Sequence, residues 1–263
     1  MSPASPSAGR DADGAEALPV LYRDDWLIAV HKPAGLLVHR TGLDRHETRF
    51  AVQMLRQQIG RPVWPVHRLD KGTSGILLFA LDRDTARALG RQFEAGEVAR
   101  RYLAVVRGHP PAWGLIDHPL SPMPDAYADS PTRGDGPATQ TALTRFRTLT
   151  TVELPYRVDR YPSSRYALVE LEPLTGRRHQ LRRHMKHIAH PIIGDATHGK
   201  GRHNRLFQER FASRRLLLAA VALAFRHPLS GDRLELHAPP AADFAQVVVQ
   251  LGWTLPTPPR DYG

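Results

Sequence analysis

The chain has no cysteine among its 263 residues, which removes disulfides, thiolate metal sites and cysteine nucleophiles together. No apolar run approaches the roughly 18 residues that a bilayer span requires, and the opening MSPASPSAGRDADGAEA lacks the apolar stretch of a signal peptide. A soluble, cytoplasmic protein is expected. Acidic residues are scarce: 26 Asp and Glu stand against 36 Lys and Arg, giving a formal net charge of +10. Basic residues run along the whole chain and suit a polyanionic partner, although arginine used for solubility would give the same composition.

What is present begins with enough length for one sizeable core. Residues 1–17 are small, polar and turn-forming, and such a segment buries too little surface to offset the entropy of ordering, so a disordered leader is expected there. One catalytic body is expected over 18–255, with a short tail over 256–263. The runs WLIAVHK, GILLFAL, RYLAVVRG, YALVELEP and LLLAAVALAF read as strands. Helices are predicted where Val52, Leu55 and Ile59 precede Gly60, where Leu89 and Phe93 precede Gly96, and where Phe244, Val247, Val248 and Leu251 precede Gly252. This pattern predicts an α+β fold with a large, mostly antiparallel sheet. The stretches from Pro110 to Pro137 and from about Gly194 to Arg210 show little periodicity and read as loops or insertions.

Chemistry concentrates in His67-Arg68-Leu69-Asp70-Lys71-Gly72-Thr73-Ser74-Gly75. The strand VWPVHRL leads into the polar turn DKGTSG and then into the apolar strand ILLFAL, which sets Asp70 where a buried strand emerges at a rigid edge. Glycines permit close backbone approach, and Thr73 and Ser74 can brace the turn. Taken locally, an ordinary Asx turn in a hairpin fits these residues as well.

The segment resembles the central motif of the RluA-type pseudouridine synthases, and further matches follow in order. Asp25-Trp26-Leu27-Ile28-Ala29-Val30-His31-Lys32-Pro33-Ala34-Gly35 resembles the family's strand and Lys-Pro-x-Gly opening. Arg101-Tyr102-Leu103-Ala104-Val105-Val106-Arg107-Gly108 resembles its tyrosine-bearing strand. Leu174-Thr175-Gly176-Arg177-Arg178-His179-Gln180-Leu181-Arg182-Arg183-His184 and His190-Pro191-Ile192-Ile193-Gly194-Asp195 complete the set, so the likeness runs from about Val20 to Trp253. With no S4-like domain before the catalytic body, and with Trp26, Leu37-Val38-His39-Arg40 and Leu43-Asp44-Arg45, the chain most resembles the C branch, whose members isomerise a uridine at tRNA position 65.

The resemblance implies a cofactor-free isomerisation of uridine to pseudouridine in a flipped nucleotide, on RNA and most closely on tRNA, by a monomer. Asp70 then attacks or assists at ribose C1′, as carboxylates do at glycosidic carbons. Arg182 favours its ionised form while water is excluded, and Tyr102 stacks on the base, its hydroxyl assisting proton removal. Arg68, Lys71, Arg177 and Arg178 are candidates for phosphates beside the flipped nucleotide, with Lys200 and Arg202 in the basic run Lys200-Gly201-Arg202-His203-Asn204-Arg205 gripping the stem. Without the resemblance, that run reads as a solvated loop and Tyr102 as core packing. A helix over 178–188 would put Arg178, Arg182 and Lys186 on one face and Leu181, Met185 and Ile188 on another.

Two departures stand out. Ala219 occupies the place of a histidine usual in the family, and His198-Gly199 stands where many relatives have Tyr-Gly. His179, His184, His187 and His190 raise the question of zinc, but HExxH and an acidic third ligand are lacking and arginines lie between them, so no metal is expected. Two rival readings are an RNA-binding module without catalysis, in which a carboxylate among phosphate-binding residues would be a liability, and a ribosomal RNA synthase of the same fold.

Overall fold

The computed structural model describes residues 17–39, 47–123 and 138–256. Among them ten strands form one sheet and five helices pack on it. In chain order the elements are β1 (Val20–Arg23), β2 (Leu27–Lys32), α1 (Ala51–Ile59), β3 (Trp64–Pro65), β4 (Ser74–Ala80), α2 (Arg83–Ala95), β5 (Ala99–Arg107), β6 (Trp113–Asp117), β7 (Leu143–Leu154), β8 (Ser164–Pro173), α3 (Gln180–His187), α4 (Gly201–Phe211), β9 (Leu218–Arg226), β10 (Arg233–His237) and α5 (Ala242–Gln250). The leader and tail expected at the two ends lie, apart from Ala17 and Pro256, outside the described residues, as do Arg40, Leu43, Asp44 and Arg45.

The sheet runs β1-β2-β4-β9-β5-β8-β7-β6, with β10 beside β9 and β3 beside β4. Every pairing is antiparallel except β4 with β9. The parallel contact spans only Ser74↔Ala219 and Gly75↔Ala220, and it lies where the Asp70 turn enters β4. Gly75 is required there: its φ is +112° and a Cβ would sit 2.0 Å from the Ala220 carbonyl oxygen.

Strand alternation sorts the core. On β5, Leu103 and Val105 face a cluster built with Phe207 and Phe211 of α4 and Phe244, Val247 and Val248 of α5. Ala104 and Val106 face the opposite cluster, which holds Leu181 and Met185 of α3, and Tyr102 shares that side. Helix α1 covers β2 and β4 through Val52 and Leu55, while α2 presents Leu89 and Phe93 to Leu27, Leu78 and Phe225. Gly60 and Gly96 close α1 and α2 in the left-handed conformation, as their positions after the last apolar residue predict.

Four expectations need correction. The stretch from Gly194 to Arg210 is not a loop throughout, because His203, Leu206, Phe207 and Phe211 recur at helical spacing and bury one face of α4 beneath its charges. The stretch from Pro110 carries β6, an edge strand that turns Trp113 outward at 78% exposure and keeps Ile116 inside. Residues 63–69 form only the two-residue β3: beyond Pro65 the Val66 N–H reaches the Leu78 carbonyl at a long 3.4 Å, and the Leu78 N–H donates to the His67 ring at 3.0 Å rather than to the backbone. Arg178 precedes α3, and His179 at φ 54° forms the left-handed bend between them.

Candidate active site

Asp70 is carried by a tight turn closed by the Thr73 N–H to the Asp70 carbonyl at 3.0 Å. The turn is held from below by Lys32, which is wholly buried. Its ammonium donates to the carbonyl oxygens of Leu36 at 2.7 Å, Pro33 at 2.9 Å and Lys71 at 3.2 Å. The Gly35 N–H reaches the same Lys71 carbonyl at 2.8 Å. The Lys-Pro-x-Gly opening therefore clamps the Asp70 turn although roughly forty residues separate them. Burial pulls the Lys32 ammonium down to about 7, with Arg215 adding to the effect and Asp70 opposing it. His67 lies half-buried beside the turn, stacked on Phe93, and desolvation lowers its ring to about 3, so it serves as a neutral acceptor.

Helix α3 brings Arg182 to Asp70, as the family pattern implies. Its Nη1 lies 3.0 Å from Asp70 Oδ2. The same guanidinium is held in a fork by Asp195, with Nε to Oδ2 at 2.7 Å and Nη2 to Oδ1 at 2.8 Å. Burial disfavours the charged form of each partner. For Arg182 the two carboxylates outweigh it and raise the pKa. For Asp195 the Arg182 guanidinium and the amides of His198 and Thr197 outweigh it and lower the pKa. Asp195 closes the His190–Asp195 motif, and its place as the buried anchor of Arg182 depends on a close approach at Gly194, where a Cβ would lie 1.8 Å from the Arg215 carbonyl oxygen. Gln180 locks the preceding loop by accepting from Thr175 and Arg177 and donating to Leu143 and Thr144.

Tyr102 lies between two core clusters, half-buried, its strand position paired with Ala220 and Leu171. Burial raises its phenol, Arg100 opposes and the Asp70 charge adds to the rise, so the hydroxyl carries its proton at neutral pH. Two cavities meet at Asp70, of about 980 and 730 Å³. Arg68, Asp70, Arg178, His179 and Arg182 line both. Lys71 and Asp195 line the first, Tyr102 and Arg177 the second. These volumes suit an extruded nucleotide and its neighbours.

The other basic residues divide. Lys71 pairs with Glu47 at 2.6 Å, and Arg177 donates to the Thr141 carbonyl at 3.0 Å. Lys200 and Arg202 line neither cavity; Lys200 stands at the amino-terminal edge of α4 without a side-chain capping bond, and Arg202 lies 3.6 Å from Asp159 at 78% exposure. Each of the four histidines in the stretch from His179 to His190 engages other groups. His184 meets Thr144 and the His118 carbonyl, His187 stacks on His118, His190 meets the Arg107 carbonyl, and His179 meets His198.

A turn-borne carboxylate bonded to a largely buried guanidinium, with a tyrosine lining one of the two basic cavities around it, fits the arrangement of the pseudouridine synthases that the sequence motifs resemble. Residues 26–187 match the family described as RNA pseudouridylate synthase, and the chain belongs to that family. Over 236 residues it is 50% identical to a tRNA pseudouridine synthase C of Pectobacterium carotovorum, covering 90% of this chain and 62% of that protein. To the tRNA pseudouridine synthase C of Vibrio cholerae it is 46% identical, covering 90% and 96%. Two solved human structures share the fold: RNA Pseudouridylate Synthase Domain Containing 4, with a TM-score of 0.67 and 26% identity over 90% of this chain and 94% of that one, and Domain Containing 1, with a TM-score of 0.64 and 27% identity over 91% and 86%.

Proposed function

We propose that the chain isomerises one uridine of tRNA, at position 65, acting as a cytoplasmic monomer without cofactor. The tRNA assignment is supported by the names of relatives at 46 to 50% identity. The observation that carries the chemistry is the Asp70 carboxylate held 3.0 Å from a doubly anchored Arg182 where two cavities join.

Among the described residues, the polar contacts of the Asp70 side chain go to Oδ2, which leaves Oδ1 to meet the ribose. Asp70 acts at C1′, either by adding to it as the bond to N1 breaks or by taking the 2′ proton on a glycal route. Arg182 keeps the carboxylate charged and oriented as the flipped base excludes water. The Tyr102 ring packs on the base and its hydroxyl assists removal of the C5 proton after the base has turned over and C5 has joined C1′. Arg68, Lys71, Arg177 and Arg178 take the adjoining phosphates, and Lys200 and Arg202 meet the stem farther out.

Pseudouridine mapping across all cellular RNA, with and without this gene, tests the reading. Loss at tRNA position 65 alone is expected; loss at a ribosomal site with tRNA unchanged would replace the tRNA assignment.

A further inference from the structure

Arg182 is one of two routes from Asp195 to Asp70. Asp195 Oδ1 also accepts the backbone N–H groups of Thr197 and His198, each at 2.9 Å. Those bonds fix the loop that sets His198 Nε2 3.1 Å from His179 Nδ1. The far nitrogen of His179, Nε2, lies 3.9 Å from Asp70 Oδ2, the same oxygen that Arg182 holds. The pair stands nearly edge to face, with ring planes at 79°. Its His179 member lines both cavities and keeps 16% of its side chain exposed.

The charges around this pair decide its protonation and its tautomer. Asp70, His198, Arg178 and Arg182 face His179, and Asp195, Arg182, Arg183 and Lys186 face His198. Burial lowers both rings, His179 to about 4, so both are neutral at physiological pH. One N–H then bridges the two rings. Were it carried by His179 Nδ1, the bare lone pair of Nε2 would confront the Asp70 carboxylate. Carried by His198 Nε2, it leaves His179 with its proton on Nε2, 3.9 Å from Asp70 Oδ2, and the Asp70 charge favours this arrangement.

We propose that His179 is a hydrogen-bond donor to the detached uracil anion, and that His198 is the positioning residue that fixes its tautomer. The inference rests on the uridine isomerisation proposed above. As the C1′–N1 bond breaks, its electron pair leaves on the base, and the negative charge moves from Asp70 to uracil in the addition route. In the glycal route, too, the base departs as an anion. The Nε2–H that faces the carboxylate at rest is placed to meet that anion while it turns over. A neutral imidazole stabilises the charge without giving up its proton; an imidazolium would protonate N1 and let the base leave as free uracil. C5 then joins C1′, displacing the Asp70 carboxylate in the addition route or following return of the 2′ proton from Asp70 to C2′ in the glycal route, and loss of the C5 proton with protonation of N1 completes the isomerisation.

The test uses the full-length protein and tRNA transcripts carrying uridine tritiated at C5, whose release reports isomerisation, alongside direct RNA binding. His179→Asn suits the left-handed bend but is too short to reach the Nε2 position, and should lose on the order of 10²-fold in single-turnover rate with RNA affinity nearly unchanged. His179→Gln returns an N–H near that position and should recover much of the loss. His198→Phe should slow the reaction by about tenfold, whereas His198→Tyr, whose hydroxyl can donate to Nδ1, should stay close to wild type. A His179→Asn rate within about threefold of wild type, or equal losses for Phe and Tyr at 198, would overturn the proposal even as the wild-type enzyme turns over. If His179→Asn melts early, the pair of variants at 198 decides. A wild-type protein that releases no tritium from any tRNA would instead overturn the reading beneath it.

Discussion

The Asp70 cleft and the amino-terminal end of α4 contain the same residue types, arginines set against aspartates, and differ in burial. In the cleft, Arg182 and Asp195 have side chains 11% and 1% exposed and are joined by a two-pronged bond. At α4, Arg202 and Asp159 are 78% and 40% exposed and lie 3.6 Å apart. Water screens the second pair, while the first is a fixed charge aimed at one carboxylate oxygen. Net charge treats the two alike. Depth separates a pair locked in the interior from one that solvent loosens.

The sharpest way to break this comparison is Arg182→Ala. It removes the partner of Asp70 and strands Asp195 in the interior, so the rate should fall by orders of magnitude and stability by about 3–5 kcal/mol, read by single-turnover kinetics and denaturant melts. Asp195→Asn keeps the volume but leaves the guanidinium, among the described residues, Asp70 as its charged partner. A smaller loss of about 1–3 kcal/mol is expected, with a reduced rate at nearly constant RNA affinity. At the outer site, Arg202→Ala should change stability by less than about 0.5 kcal/mol and catalysis by less than about twofold. Its effect belongs in binding, where the dependence of log affinity on log salt should become shallower by about one.

Lys32 extends the comparison to pH. Its folded value, about 7, lies below the ordinary lysine value of 10.5, so between these the unfolded chain binds more protons than the folded one. Stability due to this group therefore rises with pH from about 7 toward 10.5 and is least below 7, where the buried ammonium is fully charged. Melting the wild type against Lys32→Met across that range isolates the effect. The wild type should gain on the variant as pH rises, and a constant gap would show that Lys32 titrates normally.

Much of this was legible in the sequence, for identifiable reasons. Strands β2, β4, β5, β8 and β9 are dense in apolar residues, and α1 and α2 end at glycines where their stripes stop. Strand β7 was missed because buried Thr144 stands among its inward positions, which dilutes the alternation. Helix α4 was missed because its stripe is interleaved with charges, and β6 because its outward positions are apolar. Asp70, Tyr102 and Arg182 were assigned through the family pattern, and the geometry draws Arg182 to Asp70. The Asp195 anchor and the His179–His198 pair were not assigned, since their parts are far apart in the chain or sit in a left-handed bend that spacing does not reveal.

The central claim is that Asp70 acts on the ribose and is not merely a turn residue in an RNA-binding surface. Asp70→Asn, nearly identical in shape, tests it most directly when isomerisation and RNA affinity are measured on the same preparation. Turnover should disappear while the dissociation constant stays within about threefold of wild type. Appreciable turnover by the variant would contradict the account.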